Sequence, residues 1–312
     1  MILDLSNNEI KHIVCSGGGV YGFTFYGILK EANLKGLWKR ESIESLYGTS
    51  VGAILLLAII LDYSWEELDN YLINRPWQHV FPMDFKLIIS AITNRGIYNK
   101  ETFVKTLSPL LLGRNLSTDI TMKELYEYAK IEFHCFTTEL NNFELIDVSH
   151  LTHPDWKVID AIYSSSAFPV IFEPILTEKE CYGDGCIKSN YPIEYCLKNG
   201  CQPKEILGIY CDRKIDQETN YINKDSSLFD YVSTIMVKTY IHKVDKNRPY
   251  EKIKYEYCVI VDKTTADEVY EPVCKLEERV NMINNGSNIV NLQLEKEVSK
   301  DLENGGEITH ST

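Results

Sequence analysis

A lone serine between two glycines, Gly48-Thr49-Ser50-Val51-Gly52, stands where one apolar stretch ends and a longer one begins. This is the G-x-S-x-G spacing of a strand-to-helix turn, so tight that only small residues fit on either side of the serine. A chain built around it has few options. A strand must end just before the serine and a helix must start just after it, so that its hydroxyl stands above the sheet edge. At that helix amino end the dipole and free backbone N–H groups favour a developing negative charge. A turn with a merely capping Ser or Thr would use the same residues. Context along the chain has to separate the two.

Charge and length narrow the context. The 312 residues suit one large α/β domain or two smaller ones. With 32 Lys and Arg against 45 Asp and Glu, the net charge is −13. No basic face for nucleic acid is evident. Contact with a membrane must rest mainly on apolar surface for the same reason. The opening Met1-Ile2-Leu3-Asp4-Leu5 lacks a basic region and a long apolar run, so no secretory signal is expected. Val51 to Leu61 is too short to span a bilayer and reads as a buried helix. Nine cysteines are scattered without C-x-x-C pairs, and neither Cys181…Cys186 nor Cys196…Cys201 has histidines placed to complete a zinc site. Reduced thiols in a cytoplasmic protein, with no metal and no cofactor, are the expectation.

The hydrophobic pattern alternates short apolar strands with helices. Strands are expected at His12–Cys15, Ile43–Tyr47 and Ile206–Cys211, with a further one at Tyr255–Val261. Glu132–Thr138 and Phe143–Val148 flank Asn141-Asn142 as a hairpin. Helices are expected from about Gly22, from Val51 to Leu61, over Val158–Ser165 and over Ile193–Lys198. Between Trp65 and Tyr128 the signals are mainly helical, interrupted at Gly96 and at Pro109 with Gly113. Ile171–Tyr182 is extended around Pro174, and Gly183-Asp184-Gly185 reads as a turn. Residues 213–227 form the best linker, followed by a helix over Leu228–Val244 and two helical stretches split at Asn284-Asn285-Gly286. Such alternation argues for a parallel or mixed sheet covered on both faces.

Ser16-Gly17-Gly18-Gly19-Val20-Tyr21-Gly22 follows the first strand and fits G-x-G-x-x-G. A dinucleotide site would need an acidic residue at the end of the next strand. Glu41 and Glu44 precede that strand instead, and the strand ends in the serine turn itself. The glycines suit a different task. Acyl transfer requires backbone N–H donors aimed at a carbonyl oxygen as it becomes an oxyanion. Consecutive glycines can turn their amides to a ligand unobstructed, and the Val51 amide would complete the set. A bland glycine-rich turn remains the alternative.

A serine nucleophile needs a base, and none of the seven histidines has a supporting context. His12 and His134 lie in strands, His150 and His153 in a loop, and His79, His242 and His310 carry no motif. Only two strands precede the elbow, too few for the α/β-hydrolase order. Asp184 is the sharper candidate: between glycines it can approach a second loop closely, and burial would raise its pKa toward that of a useful base. An Asx turn would explain the same Asp-Gly pair.

Gly17-Gly18-Gly19-x-x-Gly22, the Gly48-x-Ser50-x-Gly52 elbow, Ser165-Ser166-Ala167-Phe168-Pro169 and Asp184-Gly185 come in the order found in the patatin-like phospholipases, which this chain resembles. The resemblance covers residues 10–212 through motifs and continues more weakly to the helices ending near residue 303. It implies a three-layer α/β/α patatin-like fold with a central, mostly parallel sheet over residues 8–303, a helical completion over 228–303 and a frayed tail over 304–312. It implies a Ser–Asp dyad without histidine, with Ser50 as nucleophile, Asp184 as activator, and Gly18 and Gly19 as oxyanion donors. Gly17, Gly22, Gly48, Gly52 and Gly185 are the motif glycines that shape these turns. The implied substrate is a phospholipid or lysophospholipid in a membrane or micelle, with peripheral membrane contact. An acylglycerol lipase and a catalytically silent lipid-binding protein are the alternatives. Two departures stand out: Tyr21 replaces an Arg or Lys of many relatives, and Cys186 replaces the small residue that follows Asp-Gly.

Overall fold

Residues 9–212, 222–224, 226–228, 230–232, 234–235, 253–261 and 266–305 are described by the computed structural model. In chain order the first elements are β1 (His12–Cys15), α1 (Gly22–Leu34), β2 (Ser45–Thr49), α2 (Val51–Ile60), α3 (Trp65–Asn74), α4 (Phe85–Asn94), β3 (Gly96–Tyr98) and α5 (Lys100–Leu112). Then come α6 (Met122–Ala129), β4 (Glu132–Glu139), β5 (Glu144–Val148), α7 (Val158–Ser165), β6 (Val170–Phe172), β7 (Ile175–Leu176) and β8 (Cys181–Asp184). The last are α8 (Ile193–Lys198), β9 (Ile206–Asp212), β10 (Tyr255–Ile260), α9 (Ala266–Cys274) and α10 (Leu276–Gly305).

The sheet runs β10-β9-β1-β2-β4-β8-β7, with β5 also on β4. Every step from β10 to β4 is parallel, and the pairings of β5, β7 and β8 are antiparallel. Side chains alternate across the pleat. Ile13, Cys15 and Leu46 enter a large core shared with α1, α2, α5 and α7, whereas Val14, Tyr47 and Phe136 face a smaller core with Ile193 and Cys196 of α8. This is the expected α/β/α layering with a central, mostly parallel sheet.

α2 carries the elbow and is buried almost all round, so its carbonyl end needs partners other than water. Two arginines supply them. Arg40 donates to the Ile59 and Ile60 carbonyls at 3.2 and 2.9 Å. Arg114 donates to Leu61 and Asp62 at 2.8 and 2.7 Å and lies 3.8 Å above the Tyr63 ring.

Several boundaries differ from the sequence expectation. β2 begins at Ser45 instead of Ile43, because Arg40–Ser42 forms a short 3-10 turn closed by Ile43. Pro109 does not interrupt α5. The Lys105 carbonyl that its missing N–H would have bonded accepts from Arg75 Nη2 at 2.7 Å instead. Gly183 and Asp184 end strand β8 and are not a turn. The small parallel pair β3–β6 was not foreseen. Of the helix expected over Leu228–Val244, residues 228, 230–232 and 234–235 are helical and the rest lie outside the described residues, as do 213–221 of the linker and 306–312 of the tail.

The largest revision concerns Asn284-Asn285-Gly286, which lies inside one continuous helix, α10, extending two residues into the expected tail. The break falls at Lys275 instead. Gly286 is there for contact, not for a turn: a Cβ on it would sit 2.1 Å from the Thr24 carbonyl of α1. Gly27 answers from the other side, where a Cβ would lie 2.1 Å from the Ile283 carbonyl. The two helices thus cross backbone to backbone. Replacing Gly27 by valine is expected to cost at least about 3 kcal/mol of stability, since the blocking atoms are main chain and cannot swing away. Urea denaturation measures this, and a midpoint equal to wild type would disprove the close crossing.

Candidate active site

β4 explains how two distant segments meet. Its residues Cys135 and Phe136 pair with both β2 and β5, and Thr137 and Thr138 pair with both β5 and β8. A strand has two edges, so β2 and β8 share the one opposite β5. β2 ends at Thr49, opposite Phe136, and β8 takes over on the same edge with Asp184 opposite Thr137. Asp184 therefore arrives directly beyond the strand that ends in the elbow. Gly185 makes the abutment possible, since a Cβ there would lie 2.2 Å from the Phe136 carbonyl and 2.9 Å from Thr49 Cγ2.

At the elbow, Ser50 has φ 55° and ψ −127°, a conformation that L-residues avoid. The neighbouring glycines allow the turn to close. A Cβ on Gly48 would collide with the Ala53 backbone at 2.7 Å, and one on Gly52 with the Cys15 and Ser16 carbonyls at 2.5 and 2.6 Å. The Ser50 N–H donates to Ser165 Oγ at 2.8 Å, so the end of α7 fixes the turn from outside.

Asp184 is 2% exposed. Its N–H donates to the Ala167 carbonyl at 3.0 Å, and Thr138 Oγ1 donates to its carbonyl at 2.9 Å. Its Oδ1 accepts the Cys186 N–H at 2.8 Å. Burial raises its pKa from 3.8 to about 6, against the opposing pull of hydrogen bonds from Cys186 and from the Ser50 side chain. The same burial, with Asp184 beside it, pushes the Cys186 thiol well above its ordinary range.

The glycine run lies across the elbow. A Cβ on Gly17 would approach Ser50 Cβ at 3.2 Å, and one on Gly22 would strike Val51 Cγ2 at 2.3 Å. Asn190 pins the loop from both sides: its carbonyl accepts the Gly17 N–H at 3.1 Å and its Nδ2 donates to the Gly17 carbonyl at 3.2 Å. Gly19 has φ +54° and open space around its Cβ position. Among the described residues, no hydrogen bond occupies the amides of Gly18, Gly19 or Val51. Tyr21, at the position of the basic residue of many relatives, is buried in the large core.

Among the described residues, the two strand histidines, His12 and His134, are engaged elsewhere. His12 is bonded to Ser45 Oγ at 2.7 Å, at the far end of β1 and β2, and His134 is bonded to Asp147 at 2.8 Å and stacked on Tyr47. Among the described residues, no group of three or more His, Cys, Asp or Glu side chains could hold a metal ion. Nor is any described helix long and apolar enough to cross a membrane. The structure thus brings Ser50, Asp184 and all the motif glycines together. It adds two residues whose roles sequence reading missed. Ser165 left a faint signal, as one of three consecutive serines at the end of α7. Asn190 left none, because its partner lies 173 positions away.

Known proteins resemble this chain in sequence and in fold. The mimivirus of Acanthamoeba polyphaga has an uncharacterised protein 26% identical over 189 residues, which is 61% of this chain and 62% of that relative. The match thus spans less than two thirds of that relative's length. A probable lipid hydrolase of Invertebrate iridescent virus 6 is 23% identical over 221 residues, 70% of each chain. VipD from Legionella pneumophila has a similar fold, with a TM-score of 0.52 at 14% identity, covering 92% of this chain and 67% of VipD. The model of the patatin-like phospholipases matches residues 13–197, more than half of the chain. With the glycine run, the elbow and Asp184 all inside that span and in that order, the chain belongs to the patatin-like phospholipase family.

Proposed function

We propose that this protein is a serine lipid acyl hydrolase working through a Ser50–Asp184 dyad. One observation carries the reading: a strained serine at a helix amino end faces a buried carboxylate whose pKa is raised to about 6. Ser50 Oγ attacks the ester carbonyl while its proton passes to the Asp184 carboxylate. The oxyanion accepts hydrogen bonds from the Gly18, Gly19 and Val51 amides. Collapse breaks the ester C–O bond, and Asp184 returns the proton to the departing alcohol. Asp184 then takes a proton from water, the hydroxide attacks the acyl-enzyme, and Ser50 leaves with that proton as the fatty acid is released.

The substrate proposed is a phospholipid or lysophospholipid at a membrane or micelle surface. Acylglycerols are a second possibility, favoured by Tyr21: it is buried and uncharged where a headgroup-binding cation would otherwise stand. The acidic net charge opposes any nucleic-acid partner, and the free cysteines suit a cytoplasmic protein. The catalytic domain is taken to run from residue 8 through α10, since α10 packs on α1 next to the glycine loop.

A fluorophosphonate probe tests the reading, followed by hydrolysis of a panel of phospholipids, lysophospholipids and acylglycerols. Labelling should map to Ser50 in the folded protein. Absence of labelling would leave a silent lipid-binding protein, and labelling elsewhere would move the nucleophile away from Ser50. The pH profile offers a second check. Only the carboxylate of Asp184 can take the Ser50 proton, so kcat/KM should rise with pH through about 6 and then level off. A limb centred near 4 would mean that the carboxylate is not held in this buried environment.

A further inference from the structure

α4 is built the wrong way round for a helix in a soluble core. Leu87 and Ala91 are half-buried, yet Ile88, Ile89 and Ile92 point to solvent, with Ile92 86% exposed and Met83 half-exposed just before the helix. Positions 88, 89 and 92 share one helical face. Exposed aliphatic groups clustered in this way mark an interaction surface.

The stretch carrying α4 lies between Asp84, whose side chain caps the helix, and Glu101. From Phe85 to Lys100 it contains no acidic residue, in a protein with 45 of them. Lys86 and Arg95 stand exposed at its two ends. An aliphatic face bracketed by cations fits a phospholipid interface, with phosphates at the rim and acyl chains beneath.

Its mounting points in the same direction. Phe81 and Tyr98, on either side of α4, join Phe172 in an aromatic cluster with ring centroids 5.5 to 6.3 Å apart. Tyr270 donates to the Phe81 carbonyl at 2.6 Å and Tyr98 to the Pro82 carbonyl at 3.1 Å. β3, directly after α4, pairs with β6, and β6 follows the segment whose Ser165 and Ala167 hold the backbones of Ser50 and Asp184. A helix anchored at both ends is thus tied, through β3 and β6, to the segment that holds the backbones of the dyad.

The geometry points to α4 as an interfacial helix that seats the protein on a phospholipid surface through Ile88, Ile89 and Ile92, with the dyad facing the lipid. Its occupant rests on the hydrolase reading; its apolar face does not. Binding and turnover are therefore tested apart. Binding is read by co-sedimentation of the Ser50→Ala protein with phosphatidylcholine vesicles, which needs no chemistry. Adding Ile89→Asp and Ile92→Asp should lower partitioning at least about tenfold. In the catalytically intact chain, the same pair should lower hydrolysis of vesicle phospholipid in parallel. Cleavage of a soluble short-chain ester, fluorophosphonate labelling and melting temperature should stay near wild type. Ile92→Trp, which keeps an interfacial side chain, should preserve or strengthen partitioning.

Equal partitioning of wild type and the Asp variant would overturn the inference. So would a soluble-ester rate that falls as far as the vesicle rate, which would make the face part of the catalytic scaffold. A wild-type protein that ignores vesicles but self-associates through this face would assign it to a second copy instead. If labelling and hydrolysis fail while partitioning behaves as stated, the interfacial helix stands and the hydrolase reading falls.

Discussion

Ester hydrolysis by the Ser50→Ala protein is expected to fall at least about ten-thousandfold, because an acyl-enzyme cannot form without the nucleophile. The fold should survive. Alanine keeps the Cβ that makes φ 55° costly, so its stability should stay close to wild type. Ser50→Gly should lose the same activity yet gain about 1 kcal/mol, since glycine adopts that conformation without strain. Turnover of a short-chain ester and urea denaturation of the three proteins would decide the matter. A Ser50→Ala enzyme retaining a few per cent of its rate would place the nucleophile elsewhere. A glycine variant no more stable than wild type would show that the elbow is relaxed.

Asp184→Asn should lower kcat/KM about a thousandfold, with the general base removed but the carbonyl acceptor for the Cys186 N–H kept. Its effect on stability should have the opposite sign. Burial raises the pKa in the folded chain to about 6 from 3.8, so folding favours the protonated acid. That contribution is fully present below about pH 4 and is lost as pH rises through 6. Above pH 6 the folded protein bears a buried charge that costs up to about 3 kcal/mol. The neutral amide escapes this cost. Asp184→Asn should therefore melt higher than wild type at pH 8, with the gap closing toward pH 4. A variant less stable than wild type at pH 8 would assign Asp184 a structural role.

How much of this was legible in the sequence depended on whether the signal was local. β1, α1, α2, the β4–β5 hairpin, α7, β9 and β10 each follow from a short apolar period, and all lie close to where the pattern puts them. What was misread depends on partners. Pro109 looked like a helix break, and nothing nearby announces that Arg75 takes up the freed carbonyl. Gly286 looked like another break, and only the opposing Gly27 reveals a contact. The strands β3 and β6 are three residues each and exist because they pair with each other. The site divides in the same way. Ser50, Asp184 and the glycines sit in turns whose chemistry is local, whereas Ser165 and Asn190 act on backbones far along the chain. The edge-sharing of β2 and β8, which brings Ser50 and Asp184 together, is a property of the sheet alone.

The free amides of the glycine loop have a consequence for mutational scanning. On the proposed reading, the groups that stabilise the transition state belong to the main chain, and Asn190 with the elbow sets their direction. Such donors leave no side chain to delete. A survey by alanine substitution would register Ser50 and Asp184 and score Gly19, whose Cβ position is open, mainly as a conformational defect. Replacing the Gly19 or Val51 amide with an ester by chemical synthesis removes the donor while keeping the shape. For this protein, part of the catalytic machinery is encoded by where the chain turns, and side-chain identity only permits the turn.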